Sequence, residues 1–236
     1  MSDVPLLTPG TAKFINAGTS IFRDCQFCDL FDKRLKRFIV RRLSIIDSLH
    51  CLIPAIIEAV AQELATVNVP IVIDPVMISK HGHALIDDDA IESYRQLLFP
   101  KSFLITPNRF EAEKLTGMSI RTFEDVQVAV HQLHHMGCKN VLLKFGRVEN
   151  KYNVYFSDRD GTVQLVAPYQ ESDSTHGSGC VLAAYMTGLL AVGLTALRMI
   201  AERAVVETTK AVTGESFIGQ GIHPAETRLL RNPRCD

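Results

Sequence analysis

The chain has 236 residues and a formal net charge of −1 at pH 7. This length suffices for one large α/β domain with a well-buried core, whereas the near-zero charge speaks against a nucleic-acid partner. We expect neither a membrane span nor a signal peptide, because no apolar run is long enough and no leader pattern is evident. The six cysteines form no disulfide pattern, which favours a reducing compartment and predicts a cytoplasmic protein.

The first 45 residues predict no regular element. Prolines and a glycine interrupt their start, and Cys25 and Cys28 form a CxxC pair without further metal ligands close by. Residues 33–42 carry six basic side chains among apolar ones, a pattern that fits a solvated helix face or a helix on an anionic surface. We therefore expect residues 1–45 to form an atypical N-terminal segment.

From Leu52 onward, short apolar strands alternate with helices of amphipathic spacing. The predicted strands are 70–73, 102–105 and 140–143, and the predicted helices are 53–64, 87–98, 108–115 and 122–136. This alternation predicts a mostly parallel sheet with helices on both faces, and the uniformly apolar strands fit burial on both sides. Because Glu124 lies only two residues after Thr122, we expect the last of these helices to lack a strict capping box.

The second half of the chain predicts a β-hairpin followed by two helices. Residues 152–156 and 162–166 alternate as strands around an Asp-Gly turn, which is typical of a hairpin. Helices are predicted at 177–192 and 195–212. Residues 227–236 read as a polar tail that we expect to fray.

Polar residues follow each of the three strands predicted before the hairpin. Asp74 follows the first strand, and Asn108 with Glu111 follows the second. Lys144 follows the third strand. In open α/β sheets, ligands bind beyond the carboxyl ends of the strands. The repeated placement of these side chains therefore predicts a binding cleft at this edge of the sheet.

A glycine-rich stretch at 173–180 leads directly into the apolar helix at 177–192. Free backbone N–H groups and the helix dipole make such a helix start an anion site, and Gly177 and Gly179 allow close approach. Cys180 lies in the first turn, where the same field favours a thiolate that would serve as base or nucleophile. Two alternatives remain open: a hydrolase pair of Cys180 with His176, and a tight turn with a small core cysteine.

Four motifs occur in a fixed order along the chain. They are Val-Ile-Asp-Pro-Val-Met at 72–77, Ile-Thr-Pro-Asn-x-x-Glu-Ala at 105–112, Met-Gly-Cys-x-x-Val-Leu-x-Lys at 136–144 and Thr-His-Gly-Ser-Gly-Cys at 175–180. This ordered set resembles the hydroxymethylpyrimidine/phosphomethylpyrimidine kinases of thiamine synthesis, within the ribokinase-like superfamily. The resemblance covers about residues 50–224 and implies a ribokinase-like kinase domain at 46–226.

The resemblance implies phosphorylation of hydroxymethylpyrimidine, its monophosphate, or both, with ATP and Mg²⁺ as cofactors. It implies that Cys180 is the catalytic base, at a position where most of the superfamily has an aspartate. By position, it assigns the anion hole to Gly177, Ser178 and Gly179, the nucleotide site to Lys144, Thr175 and His176, and a magnesium site held through water to Asp74, Asn108 and Glu111.

The chain departs from this family in the part that normally binds the acceptor. The usual Gly-Gly-Ala-Gly segment after the first strand and the later Gln-Asn-Thr stretch are absent, so no acceptor-binding residue is assigned. Three hypotheses follow: a kinase whose acceptor pocket comes from the atypical N-terminus or from a partner in a homodimer, a non-catalytic nucleotide-binding protein, and a truncated product that folds poorly. A Cys-type pyridoxal kinase is the alternative activity, because the contacts that separate pyrimidine from pyridoxal belong to the absent part.

Overall fold

The computed structural model describes residues 44–47, 54–66, 68–77, 86, 88–169, 171–172 and 177–213. Several sequence predictions lie outside these residues: the CxxC pair of Cys25 and Cys28, the basic run 33–42, the polar tail 227–236, and the site residues Thr175 and His176. The domain limits 1–45, 46–226 and 227–236 stay predictions.

Six strands and six α-helices make up the described fold. The strands are β1 (Ser44–Asp47), β2 (Ile71–Asp74), β3 (Leu104–Ile105), β4 (Val141–Val148), β5 (Lys151–Asp158) and β6 (Gly161–Pro168). The helices are α1 (Pro54–Ala65), α2 (Asp88–Ser93), α3 (Arg109–Thr116), α4 (Phe123–His135), α5 (Ser178–Ala191) and α6 (Leu197–Thr213). None of these helices is long and apolar enough to cross a bilayer.

The strands form one sheet in sequence order, β1-β2-β3-β4-β5-β6. β1 to β4 are parallel, whereas β5 pairs antiparallel with both β4 and β6. This confirms the predicted α/β fold, with its mostly parallel sheet and the hairpin near 152–166. Most of the predicted elements agree with the observed ones within two residues at each end.

Three elements differ from the sequence prediction. β1 was not predicted, and β4 continues past residue 143 because its pairing with β5 resumes after a bulge between Lys144 and Gly146. The helix predicted at 87–98 is α-helical only to Ser93 and then widens into a π turn. The wider turn places Tyr94 and Phe99, five residues apart, on one buried face with their rings 6.1 Å apart.

Alternate residues of the central strands enter two separate cores. Ile73 and Leu143 face one core, which packs against α1, α2, α3 and α4. Val72 and Leu142 face the other core, where the hairpin meets α5 and α6. The period-two alternation of an extended strand therefore buries both sheet faces, as the apolar strand sequences predicted.

Capping boxes begin both α3 and α4. In α4, Asp125 N–H donates to Thr122 Oγ1 at 3.2 Å, and Thr122 N–H donates to Asp125 Oδ2 at 2.9 Å. The expectation that α4 lacks a capping box was therefore wrong. Asp125 occupies the third helical position and completes the reciprocal pair in place of the Glu or Gln of the usual capping box.

Replacing the cap of α4 tests this correction. Thr122→Ala should lower the free energy of unfolding by about 1 kcal/mol, because the alanine leaves an N-terminal amide without a partner. Urea denaturation measures the change. The exposed Gln127 on the same helix offers a control, and Gln127→Ala should stay within about 0.5 kcal/mol of the parent. Equal effects of the two substitutions would contradict the capping role.

Candidate active site

A buried ion pair lies at the carboxyl ends of the central strands. Lys144 Nζ donates to Asp74 Oδ1 at 2.9 Å, and the two side chains are 9% and 1% exposed. Thr106, directly after β3, donates its hydroxyl to the same carboxylate oxygen at 2.7 Å. Because β3 lies between β2 and β4, these contacts join three neighbouring strands. The sequence placed Asp74 and Lys144 at this edge but gave no role to Thr106.

A second buried carboxylate, Glu111, lies at the start of α3. Asn108 N–H donates to Glu111 Oε2 at 2.6 Å, while Asn108 Oδ1 accepts from Glu111 N–H at 2.9 Å. Lys144 N–H donates to Pro107 C=O at 2.8 Å and ties this helix start to β4. The predicted grouping of Asn108, Glu111 and Lys144 is therefore present in space.

The charges of these side chains are coupled. Burial raises the pKa of Glu111 to about 7; the Asp74 charge adds to the rise and the Lys144 charge opposes it. For Lys144, burial alone would lower the pKa, but the charges of Asp74 and Glu111 hold it above its usual value. Lys144 is therefore a permanently charged ammonium group that faces two carboxyl groups.

The N-terminus of α5 lies directly against this ion pair. Gly177 precedes the helix in a left-handed conformation (φ 76°), and as a glycine it has no side chain that could cap this helix start. The first intrahelical bond runs from Val181 N–H to Gly177 C=O at 2.9 Å. A Cβ atom on Gly179 would lie 3.1 Å from Lys144 Nζ. The positive helix end and the lysine ammonium therefore converge on one place, which suits an anion.

Cys180 lies in the first turn of α5, as the sequence predicted, and is partly exposed. Gly177, Ser178 and Gly179 lie in the same turn, so the predicted anion-hole residues adjoin the predicted base. Thr175 and His176 lie outside the described residues. The alternative pairing of Cys180 with His176 is therefore not addressed by the structure.

A pocket of about 200 Å³ adjoins the helix start and opens beside Lys144. Its walls are the first turns of α5, the second half of α6 and the neighbouring ends of β4, β5 and β6. Most of the wall residues are apolar or aromatic, among them Pro168, Tyr169, Leu182, Val205 and Val212. The Arg147 guanidinium lies 4.3 Å from the centre of the Tyr169 ring. Sequence reasoning missed this pocket, because its walls come from distant parts of the chain.

Tyr152 connects the pocket with the buried charges. Its side chain lines the pocket beside Lys144. Burial raises the pKa of the Tyr152 hydroxyl, the Lys144 charge lowers it, and the Asp74 charge raises it. The hydroxyl therefore stays protonated and offers a donor at the inner end of the pocket.

The carboxylates fit a divalent cation held through water. No three His, Cys, Asp or Glu side chains in the described part of the chain lie close enough to hold a metal by themselves. Mg²⁺ prefers oxygen ligands, keeps several waters and often binds through one or two carboxylates together with phosphate oxygens. Asp74 and Glu111 supply carboxylates of this kind, beside a helix start that suits an anion.

Comparison with known proteins identifies the family. Residues 52–226 match the sequence model of phosphomethylpyrimidine kinase. The hydroxymethylpyrimidine/phosphomethylpyrimidine kinase of Bacillus subtilis is 36% identical over 156 residues, which make up 65% of this chain and 57% of that protein. The match therefore spans little more than half of the relative's length.

Solved structures share the fold. The phosphomethylpyrimidine kinase of Clostridium difficile has a TM-score of 0.55 at 28% identity, over 68% of this chain and 64% of that chain. The pyridoxal kinase of Bacillus subtilis, solved as an ADP complex, has a TM-score of 0.69 at 26% identity, over 78% of this chain and 68% of that chain. Because the family match covers 175 of the 236 residues, the chain belongs to the phosphomethylpyrimidine kinase family.

Proposed function

We propose that this chain catalyses the ATP-dependent phosphorylation of hydroxymethylpyrimidine, its monophosphate, or both, in thiamine diphosphate synthesis. The observation that carries the proposal is the close approach of the start of α5 to the Lys144 ammonium: a Cβ built on Gly179 would lie only 3.1 Å from Lys144 Nζ. Phosphoryl transfer depends mainly on positioning and on neutralising the charge of the phosphates. A fixed helix end and a buried cation supply both.

The phosphate chain of ATP would lie across this helix start. The amides of Gly177, Ser178 and Gly179 would bind the transferring phosphoryl group, and the Lys144 ammonium would neutralise part of its charge. The nucleoside would then occupy the pocket that adjoins Ser178 and Lys144. The ADP complex of the Bacillus subtilis pyridoxal kinase supports an adenine nucleotide. Thr175 and His176 stay predicted nucleotide contacts.

Magnesium would lie between the phosphates and the carboxylates. Asp74 and Glu111 together with Lys144 leave one surplus negative charge when both carboxyl groups are ionised. Asn108 adds an amide oxygen at the start of α3, although that oxygen caps the helix. Bound through water at this position, Mg²⁺ supplies neutralisation of the phosphate charge.

Cys180 is the proposed base. Its thiolate would take the proton of the acceptor hydroxyl while the hydroxyl oxygen bonds to the γ-phosphorus. The bond from that phosphorus to the β–γ bridging oxygen would break, and ADP would leave with the electron pair. The position of Cys180 in the first helical turn favours the thiolate that this step needs.

Pyridoxal is a second candidate acceptor. The TM-score with the Bacillus subtilis pyridoxal kinase, 0.69, exceeds the 0.55 with the Clostridium difficile phosphomethylpyrimidine kinase. Release of ADP from Mg·ATP with each acceptor in turn distinguishes the two activities. ADP binding without turnover on any acceptor would instead favour a non-catalytic nucleotide-binding protein. A homodimer remains a prediction, to be checked by light scattering.

Cys180→Ala tests the proposed base. The variant should lose about 100- to 10,000-fold in kcat, because general-base help is typically worth that factor. ADP binding should persist, since the backbone amides remain. Cys138 lies away from this site and provides the control: Cys138→Ala should keep the turnover of the parent. Parent-like turnover in Cys180→Ala would refute the role of this thiol.

Gly179→Ala tests the anion site separately from stability. Its new methyl group would lie 3.1 Å from Lys144 Nζ, so the ammonium must shift and an approaching phosphate loses space. The readout is ADP affinity and not the melting temperature, because alanine favours a helix by roughly 0.5–1 kcal/mol over glycine whereas a displaced ammonium weakens its buried pair with Asp74. Gly188 on the same helix has nothing within 4 Å of its built Cβ, so Gly188→Ala should stabilise without weakening ADP binding. Equal ADP affinity in both variants would contradict the proposed site.

The pH dependence of stability tests the charge balance around Glu111. Its pKa in the folded state, about 7, exceeds the reference value of about 4.3, so the folded protein binds this proton more tightly. Stability from this group is therefore full below about pH 4 and declines as the pH rises through about 7. Glu111→Gln keeps the capping acceptor and removes the charge. Its melting temperature relative to the parent should rise between about pH 5 and about pH 8. A difference between Glu111→Gln and the parent that falls or stays constant with rising pH would mean that Glu111 is ionised without cost in the folded state.

A further inference from the structure

A row of aromatic rings lies where the starts of α3 and α4 meet β4 and β5. The Phe145 ring lies 5.7 Å from the Tyr155 ring, which in turn lies 5.5 Å from the Phe123 ring. At the other end of the row, the Arg109 guanidinium carbon lies 5.7 Å from the centre of the Phe145 ring and 4.7 Å from that of Phe110. These five residues are therefore continuous, and we call them the Arg109 patch.

Much of the Arg109 patch is open to solvent. Phe110 is 56% exposed and Phe123 is 39% exposed, whereas Tyr155 is buried. Single exposed apolar side chains are common on protein surfaces, but a contiguous group of them marks an interaction site. Aromatic residues and arginine are also the residue types that are enriched in protein–protein interfaces. The composition of the patch therefore fits a protein partner.

The Arg109 guanidinium has no polar partner within the described part of the chain. Its Nε is buried there without a hydrogen bond, so no partner reaches that atom. The two terminal nitrogens are not buried atoms of this kind, and the residue as a whole is partly exposed, so they stay accessible. Because the guanidinium also stacks on two rings, its orientation is fixed while its terminal donors are unused.

A carboxylate lies at the opposite end of the Arg109 patch. Glu124 follows Phe123 in the first turn of α4, is exposed, and forms no ion pair with any of the residues that the structure describes. Burial raises the pKa of the Tyr155 hydroxyl and the Glu124 charge adds to the rise, which places this carboxylate beside the aromatic row. The row therefore has an unpaired positive charge at one end and an unpaired negative charge at the other.

A surface with this arrangement is complementary to a second copy of itself. A two-fold axis through the middle of the row turns it end for end, so each positive end meets the negative end of the other copy. We propose that two copies of this chain associate through the Arg109 patch, with Arg109 of one copy paired to Glu124 of the partner subunit. The inference gives the predicted homodimer a surface and does not depend on the proposed ATP-dependent function, because none of these residues belongs to the candidate active site.

Light scattering after size-exclusion chromatography of the full chain tests the inference, at concentrations from about 1 to about 100 μM. The parent should be a dimer in the upper part of this range. Arg109→Glu and Glu124→Arg should each weaken the dimer by about 100-fold, because a like-charge contact costs about tenfold and a two-fold dimer contains the contact twice.

An equimolar mixture of the two variants separates charge pairing from damage to the fold. Between one Arg109→Glu chain and one Glu124→Arg chain, both contacts again join opposite charges, so the dimer should return. Arg159→Glu is the control, since it reverses a side chain that is 84% exposed in the turn between β5 and β6. This control variant should form dimers like the parent.

Several outcomes would overturn the inference. A parent that stays monomeric over the whole range would exclude the association, and a dimer that neither reversal weakens would use another surface. A mixture of the two variants that remains monomeric would exclude the pairing of Arg109 with Glu124. Equal weakening by Arg159→Glu would mean that the reversals act through overall charge. Release of ADP from Mg·ATP is measured separately, so each of these results leaves the proposed function open to its own test.

Discussion

The arrangement of this site depends on one buried ammonium group. Lys144 Nζ lies 2.9 Å from Asp74 Oδ1 in a largely buried position, and the two residues are 70 positions apart in the sequence. A charge in such a place is costly unless it is paired and hydrogen-bonded. The ion pair therefore requires that β2 and β4 are in register across β3. It also requires the hydrogen bond that the Thr106 hydroxyl donates to the Asp74 carboxylate.

A buried ion pair is weak evidence for stability, because apolar side chains of similar size often stabilise a fold equally well. The position of the ion pair beside the start of α5 explains its presence better than a contribution to stability does. The ammonium lies beside the start of α5, so two sources of positive potential face the same space before any ligand arrives. Groups that are already oriented need no reorganisation when charge develops, which is the condition for electrostatic catalysis of phosphoryl transfer.

The two ends of the site offer a ligand different interactions, electrostatic at one end and apolar at the other. At the end beside the start of α5, Lys144 and the helix amides offer charge and dipoles that suit an anion. At the other end, the wall of α6 offers apolar surface. Charge favours an anionic group and apolar walls favour an apolar one, so the two ends suit different parts of a ligand.

Much of the fold was predictable from the sequence, since short-range patterns determine it. In the sequence, Asp74, Asn108 and Lys144 each follow an apolar stretch, and parallel strands bring such positions to one edge of the sheet. The glycine-rich stretch likewise predicted the start of α5. The local rules failed at Thr122, where an aspartate completed the cap, and at β4, whose pairing continued beyond a bulge.

The sequence by itself therefore determined the strands, the helices and the kinds of side chain at the sheet edge, because each depends on neighbours along the chain. Only the tertiary structure decided which charges pair, that burial raises the pKa of Glu111 to about 7, and that residues of α5, α6 and the hairpin meet around one pocket beside Lys144. Burial and pairing are properties of contacts between distant segments, and no local pattern encodes the distance between two side chains that the fold brings together.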